Sequence, residues 1–311
     1  MHHGDIVALH RAVSDNNGPV RANRILTCAS KMFSLALKPM AGEAKAWRDQ
    51  ALGNPCKGVE RNPEEPKDRF FCEAELSAIS DSLLAVGRTS AADCIRFIML
   101  TGCRPLEAIL TTWSQLDVEP GYWVKPSSHT KQRKTHRVPL NPAAQELIQR
   151  LRKTRNADSQ PTDYIFPGLC KGKPLQQLRT CWVRICGYAT VSLWEQSSNP
   201  RVAKLVADLT QKLKRRPMLL ECQAEAERRK VTLPAGVVGA RVYDLRHSFA
   251  SIGAGGGLSL PIIGKLLGHT TSRSTQRYAH LADDPLREAT EKIGTVIAGA
   301  GKGAEIVRQL R

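Results

Sequence analysis

"KLLGHTTSRSTQRYAHL" (265–281) begins as the end of an apolar helical stretch, stops at Gly268-His269, crosses a run of small hydroxyl residues and arrives at Tyr278. A glycine after Leu266-Leu267 is where a helix is expected to end, because glycine takes the left-handed backbone conformation without strain. The chain holds 5 tyrosines, and this one follows Arg277, with His269 nine positions upstream. A core tyrosine sits among apolar residues and satisfies its hydroxyl locally. A phenol among cations is suited instead to attack an anion, since its ordinary pKa near 10 leaves it neutral at pH 7 and in need of activation. Taken alone, the stretch is also compatible with a plain helix cap followed by an anchoring tyrosine.

Three other stretches bear on that choice. In "TGCRPLEAIL" (101–110), Gly102 ends one helix and Pro105 opens the next. Arg104 therefore stands at a helix N-terminus, where main-chain N–H groups and a guanidinium together suit an anion, and Glu107 one turn on can brace it. "HTKQRKTHRVPL" (129–140) has the composition of a basic hairpin carrying Lys131, Arg133, Lys134 and Arg137, with Lys125 shortly before it. "YDLRHSFAS" (243–251) puts Arg246 and His247 in the first turns of a helix. Each has an ordinary reading by itself: a helix junction, a solvated basic surface, an amphipathic helix with an ion pair.

The bulk of the chain narrows the classes. At 311 residues it is long enough for two cores. Its formal net charge of +17 makes a polyanion the simplest partner. The 9 cysteines form no CxxC pair and have no Cys/His ligand spacing, which points to reduced thiols rather than a disulfide framework or a zinc site. No apolar stretch reaches membrane-spanning length and the N-terminus has no signal-peptide core, so a soluble, cytoplasmic protein is expected.

Along the chain, helical spacing runs through residues 5–37, followed by a Pro-rich, charged stretch over 53–70 that reads as a linker. Leu76, Ile79, Leu83 and Val86 mark an amphipathic helix, and 94–100 a buried one. Short β-like runs separated by turn residues within 114–140 predict a small antiparallel sheet. Helices are expected at 142–153, 174–187, 242–252 and 259–267, with a tail helix from about Pro285. Within 190–235, Val202, Leu205, Leu209 and Leu213 have helical spacing. "KLKRRP" breaks it, and "LLECQAEAERRK" resumes it. The fold class is mainly α with a small antiparallel β-sheet.

Taken together, the four stretches resemble the tyrosine recombinase (phage integrase) family. Its first arginine box is matched by "TGCRPLEAIL", its β-hairpin lysine box by "TKQRKTHRVPL", its second arginine box by "YDLRHSFAS" and its last box by "LLGHTTSRSTQRYAHL". Order and spacing fit, with His269 23 residues after Arg246. The resemblance implies that Arg104 and Arg246 clamp a scissile DNA phosphate and that Lys131 protonates the departing 5′ oxygen. His269 would hydrogen-bond the phosphate, and Tyr278 would attack phosphorus to form a 3′-phosphotyrosyl link. Lys125, Arg133, Lys134 and Arg137 would contact the DNA backbone, with Glu107 in support. It further implies no metal and no cofactor, double-stranded DNA as partner, a homotetramer on two duplexes and a monomer free in solution. The implied organisation is a partial, N-terminally shortened helical core-binding domain (1–52), a linker (53–70), and a catalytic domain (71–311) with an insertion at about 190–235. The implied function is integration or excision of a mobile element.

Three features depart from the family pattern. The usual histidine heading the second arginine box is Tyr243, which near pH 7 can hydrogen-bond a phosphate but is a poor base. The 190–235 connection is long, and the N-terminus is short. His247 is read as structural. Two other readings stay open: a degenerate integrase that binds DNA without efficient recombination, and a type IB topoisomerase. The spacing of the last two boxes argues against the topoisomerase.

Overall fold

The helical pattern over 5–37 folds as two helices rather than one. α1 (His3–Asn17) stops at Gly18, whose φ of 91° lies in the region glycine favours, and Pro19 opens α2 (Pro19–Ala36). The apolar spacing continues across the break, so periodicity alone hides what the Gly-Pro pair dictates. The computed structural model describes residues 1–39, 45–65, 69–117, 119–126, 135–155, 158–170, 172–269, 271–279, 290, 291 and 295. The chain divides into two compact units, Met1–Lys67 and Asp68–Arg311.

In the first unit, Ile6, Leu26 and Cys56 form a small core, with Ala29, Phe33 and Val59 against it. Part of the stretch that reads as a linker is tied down here. Asn54 donates through Nδ2 to the Ser30 carbonyl (2.8 Å), and the buried Asn23 donates to the Asn62 carbonyl (2.8 Å) and accepts from the Asn62 N–H (3.0 Å). Charge and proline content suggest a solvated segment, but these asparagines satisfy its main chain, and residues up to Glu64 belong to the unit.

The second unit is built around α4 (Ser90–Thr101), whose Thr89 hydroxyl accepts from the Ala92 N–H and whose Ile95, Phe97 and Ile98 are fully buried. It is surrounded by α3 (Glu73–Ala85), α5 (Pro105–Ile109), α7 (Pro142–Lys153), α8 (Arg179–Glu195) and α11 (Val242–Gly255). After the short α6 (Ser114–Asp117), β1 (Tyr122–Lys125) pairs antiparallel with β2 (His136–Pro139), Trp123 opposite Val138 and Lys125 opposite His136. Alternation sends Trp123 into the core, edge-on to Phe97 at 5.0 Å between ring centres. The fold is mainly α-helical with one small two-stranded antiparallel sheet, as the sequence predicts.

α8 is longer than expected and lies further along the chain. Its first half, with Trp182 and Ile185, joins the main core. Its last turns carry Val191 and Trp194 into a second cluster with Val202, Leu205, Val206 and Leu209 of α9 (Pro200–Leu213) and Cys222 and Ala226 of α10 (Leu219–Arg229). The two helical patterns read in 190–235 are thus a helix pair with its own core. Indole N–H groups fix the return strand of this region: Trp194 donates to the Pro234 carbonyl (2.8 Å) and Trp182 to the Ala240 carbonyl (2.7 Å). α12 (Leu260–Leu267) ends at Gly268 with φ 65°, and α13 (Arg273–Gln276) follows. Of the tail helix expected from Pro285, only Thr290, Glu291 and Thr295 lie within the described residues, and they are helical. Among the described residues no helix is long and apolar enough to cross a membrane.

Candidate active site

The site starts at a glycine. Gly102 closes α4 with φ 62°, and a Cβ there would meet the Phe249 ring at 2.5 Å and Leu267 at 2.9 Å. Both backbone conformation and space therefore require glycine. The close approach presents the Gly102 carbonyl to Arg246 on α11. Arg246 donates through Nη1 to that carbonyl (2.9 Å) and through Nη2 to the Leu267 carbonyl (2.8 Å), and is 1% exposed. Its guanidinium is seated between the C-terminal ends of α4 and α12, where helix dipoles favour a cation. Burial first, and the neighbouring Arg104 second, pull its pKa below the usual arginine value. A guanidinium still remains charged in a protein.

Arg104 is the N-cap of α5. Its Nη1 donates to Glu107 Oε1 at 2.7 Å, and Glu107 Oε2 accepts from Lys125 Nζ at 2.8 Å. Burial would raise the Glu107 pKa, but Lys125 and then Arg104 more than offset it and hold the carboxyl below its ordinary range. Lys125 is only 3% exposed and lies over the Trp123 ring at 4.3 Å. The expectation that Lys125 contacts DNA from the surface does not fit this placement. At the end of β1 its side chain turns inward to Glu107, which also holds Arg104.

Cross-strand from Lys125, His136 holds the Lys265 carbonyl through Nε2 (2.7 Å), and its ring occupies the space a Cβ on Gly268 would need. Burial and then Lys125 lower its pKa, so the neutral ring donates that bond. His269 follows the α12 cap. Its Nδ1 lies 2.8 Å from the Thr275 hydroxyl, which sits against Gly264. Burial, followed by Arg246 and Arg104, pushes its pKa down to about 4. The ring is therefore neutral at pH 7. With Nδ1 accepting from Thr275, its Nε2–H is the donor left for an anion. Arg104, His136, Arg137, Lys265, His269 and Gln276 are among the walls of a cleft of about 870 Å³.

The sequence offers two settings for Tyr278, a phenol beside cations or an anchoring tyrosine, and the structure buries it. It is 1% exposed and clusters with Ala250, Ala254, Ile263 and Leu267, with the Phe70 ring edge-on at 6.2 Å. Its hydroxyl is 2.7 Å from Nδ1 of His247. His247, read from sequence as structural, is thus hydrogen-bonded to the candidate nucleophile. Tyr243 is 38% exposed and packs its ring edge-on against His247 at 5.1 Å. Arg137 lies on β2, over the Tyr122 ring, paired with Glu119. Lys131, Arg133 and Lys134 lie outside the described residues. Among the described residues no group of three His, Cys, Asp or Glu side chains is placed to hold a metal.

Sequence reasoning passed over His136, Thr275 and the role of His247. His136 could have been found by strand alternation from Val138. The other two depend on contacts between segments that no local pattern reports.

The family model described as phage integrase family matches residues 71–284. The chain belongs to that family, the tyrosine recombinases. It is 40% identical to the integrase of Escherichia phage 186 over 65 residues, 21% of this chain and 18% of that one. It is 32% identical to prophage integrase IntZ of Escherichia coli strain K12 over 102 residues, 33% of this chain and 24% of that one. The chain thus matches less than a quarter of the length of either relative. Among solved structures, the XerH site-specific recombinase bound to a palindromic difH substrate superposes with a TM-score of 0.54 at 14% identity, over 93% of this chain and 72% of that one. The Tn1549 transposon integrase in complex with circular intermediate DNA gives 0.53 at 17% identity, over 93% and 85%. These likenesses establish the shared fold.

Proposed function

We propose that this protein is a site-specific DNA recombinase that cuts and rejoins double-stranded DNA through a 3′-phosphotyrosyl intermediate on Tyr278, in the integration or excision of a mobile element. The observation that carries the reading is the seat of Arg246. Its two bonds reach the carbonyls two residues before Arg104 and two residues before His269, so one buried side chain draws three sequence-distant boxes to one place.

A scissile phosphate in the cleft would meet the guanidinium of Arg104, braced by Glu107 and Lys125, and a neutral hydrogen-bond donor in His269. Arg246 supplies a fixed positive charge behind them. The pentavalent transition state gathers negative charge on its equatorial oxygens, and donors fixed beforehand stabilise it without reorganising. Tyr278 attacks phosphorus as its phenolic proton leaves. The P–O5′ bond breaks, and the 5′ oxygen takes a proton from Lys131, which lies between β1 and β2 in the sequence. The phosphotyrosyl bond conserves the energy of the phosphodiester, so religation needs no cofactor. Arg133, Lys134 and Arg137 are assigned to the DNA backbone, and a homotetramer on two duplexes, working in the cytoplasm, is the assembly proposed. Residues 1–64 are assigned to a helical core-binding domain and the α9–α10 pair to an insertion in the catalytic domain.

The test is covalent capture. A pool of nicked duplexes with randomised cores is incubated with the protein, and adducts are recovered after denaturation. The expected product resists detergent, is released by protease and is absent with Tyr278→Phe. The burial of Tyr278 favours a second reading, a chain that binds DNA without cutting it. Retarded mobility of DNA with no adduct from any duplex would establish that reading instead.

A further inference from the structure

We propose that His247 is the proton acceptor for Tyr278, taking the part that Tyr243 cannot. This rests on the recombinase reading above. Strand cleavage requires the phenol to lose its proton as the Oη–P bond forms. Tyr243, where the family has a histidine, is itself a phenol and a poor acceptor near pH 7. The next residue of α11 that offers a basic nitrogen is His247, and its Nδ1 is already 2.7 Å from the Tyr278 hydroxyl. That is inside the reach a general base needs.

The surroundings fix the ring in that role. Tyr243 packs edge-on against it from the same helix. The Tyr278 ring is tilted to it at 6.2 Å. Among the described residues, the titratable groups placed about it include Tyr243 on α11 and Tyr278 beyond α13, and His269 beyond the α12 cap is near enough for the two rings to influence each other. With Nε2 carrying the ring proton, Nδ1 accepts from the phenol. In the forward step the proton moves from Tyr278 Oη to His247 Nδ1, the Oη–P bond forms and the P–O5′ bond breaks. The 5′ oxygen takes its proton from Lys131. On religation the 5′ hydroxyl returns its proton to Lys131 as the P–O5′ bond re-forms, and the imidazolium returns its proton to Oη as the P–Oη bond breaks.

The experiment follows adduct formation from pH 5.5 to 9.5 on the nicked duplex recovered by capture, with the full chain. The wild-type rate should rise through the range where histidine titrates and then level. His247→Asn keeps an amide oxygen near the Nδ1 position but no base. Its rate should fall about 10²-fold or more at pH 7 and climb about tenfold per pH unit as hydroxide takes the proton in place of the imidazole. His247→Ala should lose activity and regain part of it with added imidazole. Both variants are first checked for parental DNA affinity by gel shift, and His247→Gln replaces whichever one fails that check. A variant that binds DNA normally and keeps the wild-type pH profile overturns the proposal, as does the absence of imidazole rescue. A wild-type chain that forms no adduct at any pH refutes the recombinase reading itself.

Discussion

Arg246 and Tyr278 are buried to the same degree, yet the arginine side chain is seated on two main-chain carbonyls while the tyrosine hydroxyl meets a histidine side chain. The difference separates what the fold makes permanent from what it leaves exchangeable. The carbonyls that seat Arg246 belong to helix ends capped by Gly102 and Gly268 and cannot leave without unwinding α4 or α12. The bond between the Tyr278 hydroxyl and His247 joins two rotatable side chains, one of which lies just after α13. On the proposed reading, a preorganised cation and a releasable nucleophile are what a reaction that opens and recloses a phosphodiester requires.

The largest effect that tests this contrast is expected at the arginine. Arg246→Ala leaves two buried carbonyls without their donor and removes a fixed charge from the transition state. Removing one such donor typically costs about 10²–10³ in rate, so adduct formation should drop by at least that much. Arg246→Lys should recover little, because an ammonium does not reproduce the planar fork that reaches both carbonyls. Near-wild-type adduct yield from the lysine variant would show that the seat needs only charge.

Lys125 comes next. It looks like a DNA-contacting lysine in sequence and is a buried partner of Glu107 in structure. Lys125→Met should destabilise the fold by about 3–5 kcal/mol, the usual cost of breaking a buried pair from one side. Arg104 still holds Glu107 at 2.7 Å, which argues for the lower end. Chemical denaturation of the two proteins measures it. Equal midpoints would mean that Lys125 reaches solvent and that its inward placement is wrong.

These two residues also mark how far the sequence could be read. The boxes around Arg104, Arg246 and His269 were legible because each is local chemistry: a glycine that must end a helix, a proline that must begin one, a cation within the first turn. The helix pair in 190–235 was legible from apolar spacing. What was hidden depended on facing. Whether Lys125 points out or in is decided by β1 pairing with β2, which sends Trp123 to the core and folds the Lys125 stem over the indole. That His247 rather than Tyr243 meets Tyr278 is decided by which side of α11 faces the segment after α13. The break at Gly18 was visible in the Gly-Pro pair, but an unbroken apolar period masked it.

The third prediction concerns His269, which sits in the fixed half of the site. Its folded pKa of about 4 is below the ordinary histidine value of 6.5. Between those values the unfolded chain binds a proton that the folded chain refuses, so stability must rise with pH across that window. It is complete above pH 6.5 and is lost as the pH falls toward 4. His269 is partly open to the cleft, so solvent screening reduces the effect. The comparison to make is the thermal midpoint of wild type and His269→Gln from pH 4 to pH 7. The wild type should lose more on acidification, and parallel curves would remove His269 as the source.

The smallest effect expected is at Arg137, which stands with Lys125 in the basic hairpin but on the outward side. Its side chain is exposed and lines the cleft, paired with Glu119. Each phosphate a protein neutralises contributes about 0.9 to the slope of log affinity against log salt. Arg137→Ala should therefore lower that slope by about one, with a modest loss of affinity common to all sequences, because a phosphate contact carries no base information. Glu119 competes for the guanidinium in the free protein, so part of the contact energy goes to releasing that pair. Glu119→Gln should then raise DNA affinity at low salt while leaving the slope of the parent unchanged. A slope unaltered by Arg137→Ala would move the DNA track away from β2 and leave the basic residues that lie between β1 and β2 in the sequence to carry it.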